Sequence, residues 1–268
     1  SYNTGSFKGT FQTSASELEA VPGIREMFSN EDGFNNLLKA DTPFIEELQK
    51  AFLFVNKDDN NPSSRGVHIN TNSISASSMY RIYTNTKEFN TNCFLPYSLT
   101  KTILETDGSF SLGRKENIYK LYNDNVTIIF AGMSDVSPLP VEEEKFQSSL
   151  AMLRDSIKLS FNVEDLISNL NFLSFYAEKK KNGASKLTLD KNNKVCYISV
   201  DENTVSIPIE EEVNEDVEFY INSLTLKEIF SKIEKGLAIG KLYCSKDNKL
   251  VVAELKENQL VLFAKINL

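Results

Sequence analysis

The sequence predicts an α+β protein with repeated domains, each made of two helices packed on antiparallel β-sheets. An amphipathic helical stretch opens each half of the chain, PFIEELQKAFLFVNK at 43–57 and NVEDLISNLNFLSFYAEK at 162–179. A second helical stretch follows in each half, within CFLPYSLTKTIL at 93–104 and FYINSLTLKEIF at 219–230. Short strand-like runs with turn signals fill the rest. A layout that recurs after roughly 120 residues indicates one unit built twice.

The first repeat is predicted to run from 43 to 136. Its first helix presents Phe44, Leu48 and Phe52 on one face. The cluster DDNNPSS at 58–64 predicts a turn, because Asp, Asn, Pro and Ser all favour turns. The strand-like runs of this repeat are RGVHIN, SISASSMYRIYT, NIYKLYND and VTIIFAG.

The second repeat is predicted to run from 150 to 268, after a linker at 137–149. Two prolines in the linker disfavour helix and favour an extended crossing. The first helix of this repeat presents Val163, Leu166 and Leu170, apolar in kind like the face of its counterpart. The strand-like runs are IKLSF, SKLTLD, VCYISV, VEFYI, GKLYCS, LVVAEL and LVLFAKI.

Two further features support the repeat. The Ser-Leu-Thr triplet at 98–100 matches the same triplet at 223–225. Residues 1–42 contain one strand-like run, SFKGTFQT, and then an acidic, Gly- and Asn-rich connection. This segment is too short to be a domain, so we expect it to be the remnant of a preceding domain plus its linker.

Composition is that of a soluble globular protein with two domains: 268 residues, 41% apolar and 25% charged, with a net charge of -8. No apolar run approaches the roughly 20 residues of a membrane span, and the start lacks a secretory signal, so we expect a cytoplasmic protein without membrane contact. The three cysteines, Cys93, Cys196 and Cys244, lack Cys-x-x-Cys spacing, which predicts buried free thiols.

Catalytic motifs are missing from the sequence. His68 is the single histidine, and it lies in the strand-like run GVHIN, where a structural histidine is expected. Neither a phosphate-binding glycine loop nor a metal-ligand pattern is present. We therefore expect no enzyme, no cofactor and no metal. An acid/base enzyme remains an alternative, because the sequence cannot show whether two carboxylates face each other across a cleft.

Several stretches resemble one known family. FIEELQKAFLFVNKDDNNPSSRGVHINTN is similar to the helix, turn and strand that open its middle domain, and Arg81-Ile82 match the Arg-Leu that ends its Thr-Asp-Gly-His-Arg-Leu motif. FLPYSLTKTILE and FYINSLTLKEIFSKIE resemble the second helices of its middle and C-terminal domains. The ending LVLFAKINL resembles its last strand, which also ends in a leucine like Leu268. The family is the bacterial DNA polymerase III beta subunit, the sliding clamp.

The resemblance implies a DNA-clamp fold and a function in DNA replication. Clamps are ring-shaped processivity factors that place their helices inside the ring around duplex DNA and their sheets outside. Lysine-bearing helices inside the ring attract phosphates without reading bases, so binding is not sequence-specific. The lysines expected to face DNA are Lys50, Lys101, Lys179, Lys180, Lys181, Lys227 and Lys232.

Ring closure implies a homo-oligomer. Six clamp domains come from two chains of three domains or from three chains of two. Because the orphan segment 1–42 needs a domain to belong to, we expect a dimer of a full-length, three-domain chain. A trimer of two-domain chains is the alternative.

The resemblance also implies a hydrophobic groove that holds short peptide motifs of DNA polymerase and clamp loader subunits. Carried over by position, its lining residues are Ser77, Tyr80, Arg81, Ile82, Leu139, Pro140, Leu262, Ala264 and Ile266. The structural alternative is that Ile82, Leu262 and Ile266 only fill the core. Ser78, Met79 and the ending AKINL depart from the family pattern, so peptide specificity can differ.

A second function remains open from the sequence. A clamp-fold interaction scaffold that binds partners without encircling DNA would explain why Glu46 and Glu47 lie beside Lys50 on the first helix.

Overall fold

The structure is a computed structural model, and it describes most of the chain from residue 33 onward. The described residues are 2–4, 7–9, 33–78, 81–89, 91–116, 118–124, 127–131, 139, 144–154, 157–190, 192–211, 216–233, 236–244, 249–256 and 258–266.

Two helices and eight strands form the first unit. Helices α1 and α2 span Thr42–Phe52 and Tyr97–Glu105. Before the unit, β1 (Tyr2–Thr4) and β2 (Phe7–Gly9) pair as a hairpin. The strands of the unit are β3 (Asn35–Ala40), β4 (Gly66–Asn70), β5 (Ser73–Ser78), β6 (Arg81–Thr86), β7 (Cys93–Pro96), β8 (Phe110–Lys115), β9 (Ile118–Tyr122) and β10 (Thr127–Ala131).

The second unit repeats this order after an additional helix. Helix α3 spans Glu144–Arg154, α4 spans Val163–Ala177, and α5 spans Ser223–Glu228 and continues as a π-helical turn over Ile229–Ile233. The strands are β11 (Ile157–Asn162), β12 (Ala184–Asp190), β13 (Val195–Val200), β14 (Asn203–Pro208), β15 (Val217–Asn222), β16 (Ile239–Cys244), β17 (Leu250–Lys256) and β18 (Gln259–Ala264).

All strand pairs are antiparallel, as the α+β prediction requires. One eight-stranded sheet has the order β11-β16-β17-β18-β6-β5-β4-β7 and crosses from the second unit to the first between β18 and β6. Each unit also has a four-stranded sheet, β10-β9-β8-β3 in the first and β14-β13-β12-β15 in the second. Matching sheet orders confirm that one fold is built twice.

Side-chain caps fix where the helices begin. Asp41 accepts a hydrogen bond from the Phe44 N–H at 3.3 Å, and Asn162 accepts one from the Asp165 N–H at 3.0 Å. These caps satisfy backbone donors that have no partner inside the helix. The apolar faces then point inward: Leu48 is fully buried, and Leu166 is 1% exposed.

The structure corrects the prediction for the linker. Residues 144–154 form helix α3, although prolines in the linker led us to predict an extended crossing through 137–149. Leu150 and Leu153 of this helix pack on Tyr243, Val252 and other side chains of the eight-stranded sheet. The prolines lie before the helix begins, so they do not oppose it. Burial of these leucines stabilises a helix whose sequence alone shows weak periodicity.

Helix α3 covers the face of the sheet that is opposite to α4. Val252 and Leu262 contact the α3 side, whereas their neighbours Val251, Val261 and Phe263 belong to the main core with α4. Adjacent residues of a strand point to opposite faces. The sheet around β16 to β18 is therefore buried on both faces.

Two further corrections concern boundaries. Residues 35–40, which we assigned to the remnant before the first repeat, form β3 and pair with β8 of that repeat.

The sequence match between the two Ser-Leu-Thr triplets is shifted by one residue relative to the structurally equivalent positions. Pro96 and Asn222 are the equivalent helix caps, and they pair with the equivalent strand residues Gly66 and Ala184.

Candidate functional site

The junction between the two units brings together most of the residues predicted for the peptide groove. Strands β18 and β6 pair there, with Leu262 opposite Ile82 and Phe263 opposite Arg81. Because Ile82 and Leu262 are opposite each other in the ladder, they lie on the same face of the sheet. That face is the one covered by α3, and two neighbouring grooves open at the junction.

The first of these, here called groove 1, has a volume of about 440 Å³. Its apolar wall combines Ile82, Leu139, Phe146, Leu250 and Leu262. The polar lining comes from the segment 59–64 together with the end of β5, where Ser77 pairs with Ile82 in the ladder. These polar residues are Asp59, Asn61, Ser64, Ser77 and Ser78.

The second, here called groove 2, has a volume of about 840 Å³. Ile266, Phe263 and Leu224 contribute apolar surface, and the N-terminal end of α5 forms one side. Ser78, Arg81 and Ala264 line both grooves, so the two are neighbours at the junction. Three more charged groups line groove 2: Glu228, Lys249 and Lys265.

Arg81 joins the two units at the boundary between the grooves. Its Nη1 donates to Glu228 Oε2 at 2.7 Å, and its Nε donates to Ser78 Oγ at 3.2 Å. The guanidinium also lies 5.4 Å from the centre of the Phe54 ring. Burial alone would raise the pKa of Glu228, but hydrogen bonds from Arg81 and Lys232 lower that pKa below its ordinary value. Arg81 is therefore held in place before any ligand binds.

The segment 59–64 is held by its own hydrogen bonds. Asn61 N–H donates to Asp59 Oδ1 at 2.9 Å, and Asn61 Oδ1 accepts from the Ser63 N–H at 3.1 Å. Arg65 Nε donates to the Asp59 carbonyl oxygen at 2.6 Å. Ser64 and Ser77 hydroxyls are 3.0 Å apart. These hydrogen bonds hold the polar residues of groove 1 in fixed positions.

His68 contacts this segment through the backbone of Ser63. Its Nε2 lies 2.8 Å from the carbonyl oxygen of Ser63, and its ring packs on Phe94 with centres 4.7 Å apart. The side chain is buried, and burial lowers its pKa below 6.5. His68 has the structural position in a strand that the sequence predicted.

The structure describes seven of the nine residues predicted for the groove. Ser77, Arg81, Ile82, Leu139, Leu262 and Ala264 line groove 1, while Ile266 lines groove 2. Tyr80 and Pro140 lie outside the described residues, as does Met79. Leu262 is 2% exposed and packs in the apolar cluster under α3, as the core alternative expects, and it also borders groove 1.

Sequence reasoning missed Asp59, Asn61 and Phe146 as groove residues. The first two were assigned to a turn, which is correct locally, since Asn61 caps a short 3-10 helix at Pro62–Ser64. The residue types of a turn predict its backbone conformation but not the surface that it packs against. Phe146 was missed because it belongs to α3, which was predicted as linker.

The predicted DNA-facing lysines lie on or next to helices, and most already have partners. Four bind carboxylates: Lys50 to Glu47, Lys101 to Glu105, Lys180 to Asp201, and Lys232 to Glu228. Lys227 donates to Ser174 Oγ at 2.9 Å, and Lys179 lies 4.0 Å from the centre of the Phe175 ring. Lys181 is exposed in the short 3-10 helix Lys181–Gly183 that follows α4.

Strands β10 and β14 are two of the edge strands in the described sheets. Strand β10 pairs only with β9, and β14 pairs only with β13, among the described residues. Helix α4 packs on β14 and exposes Phe172 and Phe175, whose side chains are 54% and 62% accessible. A pairing-competent edge beside exposed aromatic side chains is typical of an interface.

The described residues contain no group of three or more His, Cys, Asp or Glu side chains that could hold a metal ion. Within the same ranges, no helix is long and apolar enough to cross a membrane. Cys93, Cys196 and Cys244 are buried and form no disulfide with another described residue, as predicted.

Comparison with known proteins gives structural matches alone, because neither a protein-family model nor a curated protein matches the chain. The DNA polymerase sliding clamp from Bacillus subtilis matches with a TM-score of 0.70 and 14% identity, over 90% of this chain and 66% of that one. The DNA polymerase III subunit beta from Pseudomonas aeruginosa matches with a TM-score of 0.70 and 12% identity, over 90% and 68%.

The DNA polymerase III beta chain from Streptococcus pneumoniae gives a TM-score of 0.68 at 13% identity, over 100% of this chain and 69% of that one. This chain therefore spans about two thirds of the length of the clamps it matches. Many matches agree on one fold, while the low identity limits the comparison to that fold. The chain has the fold of the bacterial DNA polymerase III beta subunit, the sliding clamp.

Proposed function

We propose that the chain acts as a sliding clamp, a processivity factor that encircles duplex DNA and tethers a polymerase and other partners through the junction grooves. The observation that carries this proposal is the clamp fold with apolar grooves at the junction of its two units. We further propose that the two units are the middle and C-terminal domains of a three-domain subunit.

The repeat explains how a ring can close. Strand β18 of the second unit pairs with β6 of the first, and the equivalent strands in the repeat are β10 and β14. Those two strands lie at edges of their sheets, as do β3, β7, β11 and β15 at the other ends. A second junction of the same kind would pair a strand equivalent to β14 with a strand equivalent to β10 in another subunit or domain. Such head-to-tail contacts generate closed rings when the rotation fits.

The groove fits a short apolar peptide. Ile82, Leu139 and Leu262 give groove 1 an apolar wall, while Arg81 and the segment 59–64 provide polar groups. Clefts of this composition bind ligands by burying apolar anchors and fixing orientation with a few hydrogen bonds. A single buried anchor side chain contributes about 2 kcal/mol, and micromolar affinity corresponds to about 8 kcal/mol, so several anchors and hydrogen bonds must act together.

The direct test is fluorescence-anisotropy binding of a labelled peptide that carries the bacterial clamp-binding pattern. We expect saturable binding at about micromolar strength, weakened at least about tenfold by Arg81→Ala and by deletion of the last residues of the chain. Arg114→Ala is the matched control, because Arg114 lies on β8 in a different sheet. Failure of the unaltered protein to bind, or equal binding by the Arg81 and Arg114 variants, would refute tethering through this groove.

A clamp-fold scaffold without DNA encirclement is the second candidate. The favouring observation is that four of the seven candidate lysines pair with carboxylates of the same chain. Paired lysines contribute less to phosphate binding than unpaired ones.

Charge reversal separates the two candidates. A triple variant, Lys179→Glu, Lys180→Glu and Lys181→Glu, should weaken DNA retention if the chain is a working clamp. The control variant reverses Lys39, Lys57 and Lys87, which are exposed and lie outside the helices, so net charge changes equally. Equal DNA binding by both variants would favour the scaffold.

A further inference from the structure

Asp59 is an unexplained buried carboxylate in groove 1. Its side chain is 8% exposed, and its Oδ2 has no hydrogen-bond partner among the described residues. The other carboxylate oxygen, Oδ1, accepts from the Asn61 N–H. A buried carboxylate oxygen without a hydrogen bond costs free energy, so a donor is expected to bind it.

The residues around Asp59 do not supply that partner. Arg65 is close, but its Nε donates to the Asp59 backbone carbonyl rather than to the carboxylate. Arg81 lines the same groove, but its guanidinium is engaged by Glu228 and Ser78. The Ser64 and Ser77 hydroxyls bond to each other. The polar lining therefore contains an acceptor without a described partner, while Arg65 Nε and the Arg81 Nε and Nη1 donate to other groups.

We propose that Asp59 determines the specificity of groove 1 by accepting a hydrogen bond from a basic side chain, Lys or Arg, of the bound peptide. The inference rests on the proposed peptide-binding function and adds the chemistry of the ligand. The peptide places an apolar anchor against Ile82, Leu139 and Leu262 and directs its cation toward the polar lining at 59–64. Oδ2 is buried, so a donor in the groove reaches it when the carboxylate turns about its soft terminal torsion, and this turn also moves Oδ1 relative to the Asn61 N–H.

Charge complementarity favours a cation over a neutral donor. Among the groove 1 residues, Asp59 is the acidic side chain, and the positive charge of Arg81 is offset by Glu228. A hydrogen bond between ionised groups is about twice as strong as one between neutral groups, and a low-dielectric groove strengthens it further. An acidic side chain at the same position would meet an unpaired like charge and be rejected.

The test uses the full chain and a set of labelled peptides based on the bacterial clamp-binding pattern. In each peptide, one position next to the apolar anchor carries lysine, norleucine or glutamate, and the position is moved along the peptide. Norleucine keeps the length of the lysine stem without its charge. At one position we expect the lysine peptide to bind about tenfold more tightly than the norleucine peptide, the worth of one charge-assisted hydrogen bond.

Two variants locate the effect. Asp59→Asn keeps an oxygen for the Asn61 N–H, so the loop should retain its fold, but it removes the charge. Asp58→Asn makes the same change at the exposed neighbouring residue. The lysine preference should vanish in Asp59→Asn and persist in Asp58→Asn, with equal melting temperatures for both.

The outcomes separate this inference from the proposed function. Tight binding of all peptides without any lysine preference would overturn the role of Asp59 and leave the tethering groove intact. A lysine preference that survives Asp59→Asn would also overturn it. Absence of binding by every peptide would refute both the groove and its specificity.

Discussion

Truncation of Leu153 tests the correction that the structure made to the linker. Leu153 lies on α3, is 1% exposed, and packs with Leu150, Tyr243, Val252 and Leu262. Leu153→Ala removes three buried carbon atoms, which costs about 2.4 kcal/mol in transfer free energy. The cavity that remains brings the total to about 3 kcal/mol. Met152→Ala is the matched control, because Met152 is the preceding residue and is 70% exposed.

The loss should be local, because α3 packs on the sheet through one small apolar cluster. Amide hydrogen exchange over 144–154 is therefore the assay. Exchange should accelerate on the order of a hundredfold in Leu153→Ala and change by less than about threefold in Met152→Ala. Peptide binding should weaken in parallel, since Phe146 of α3 lines groove 1. Equal exchange rates in the two variants would refute the packing of α3 on the sheet.

Two further predictions concern buried titratable groups. Burial lowers the pKa of His68 below 6.5, so the unfolded chain takes up the proton at a higher pH than the folded chain, and the free energy of unfolding should fall as the pH drops below about 6.5. In His68→Gln, the melting temperature should depend less on pH between about pH 7.5 and 5.5. An unchanged pH dependence would contradict this. Burial raises the pKa of Cys93 and Cys244 to about 12, so thiol titration should find these groups unreactive until urea unfolds the chain.

Local sequence signals were sufficient for the fold class. The periodicity of Phe44, Leu48 and their counterparts around Leu166 predicted the first helix of each unit, because an amphipathic helix must bury its apolar stripe. Alternation in runs such as SKLTLD predicted strands, and β12 alternates between buried and half-buried residues as expected. The repeat predicted two equivalent units, and the matching sheet orders confirm it.

The groove could be predicted only in part. Position-by-position resemblance brought Arg81, Ile82 and Leu262 together, and β18 does pair with β6. Asp59 could not be found this way, since its neighbours Asn61 and Pro62 signal a turn and nothing in a turn signal tells which surface it lies against. Burial of one carboxylate oxygen is visible only when the whole chain is folded.

By itself, the sequence determined the elements that depend on local periodicity and capping: the helices at 42–52 and 163–177, most strands, and the doubling of the unit. Tertiary structure decided whatever depends on contact between distant segments. Helix α3 exists because Leu150 and Leu153 find an apolar sheet face, and β3 joins the first unit because β8 offers an edge. Lys50, Lys101 and Lys232 pair with carboxylates three or four residues away, which helix periodicity provides. The partners of Lys180 and Lys227 and the burial of Asp59 were decided by the tertiary structure, because the free energy of a charge depends on what surrounds it in space.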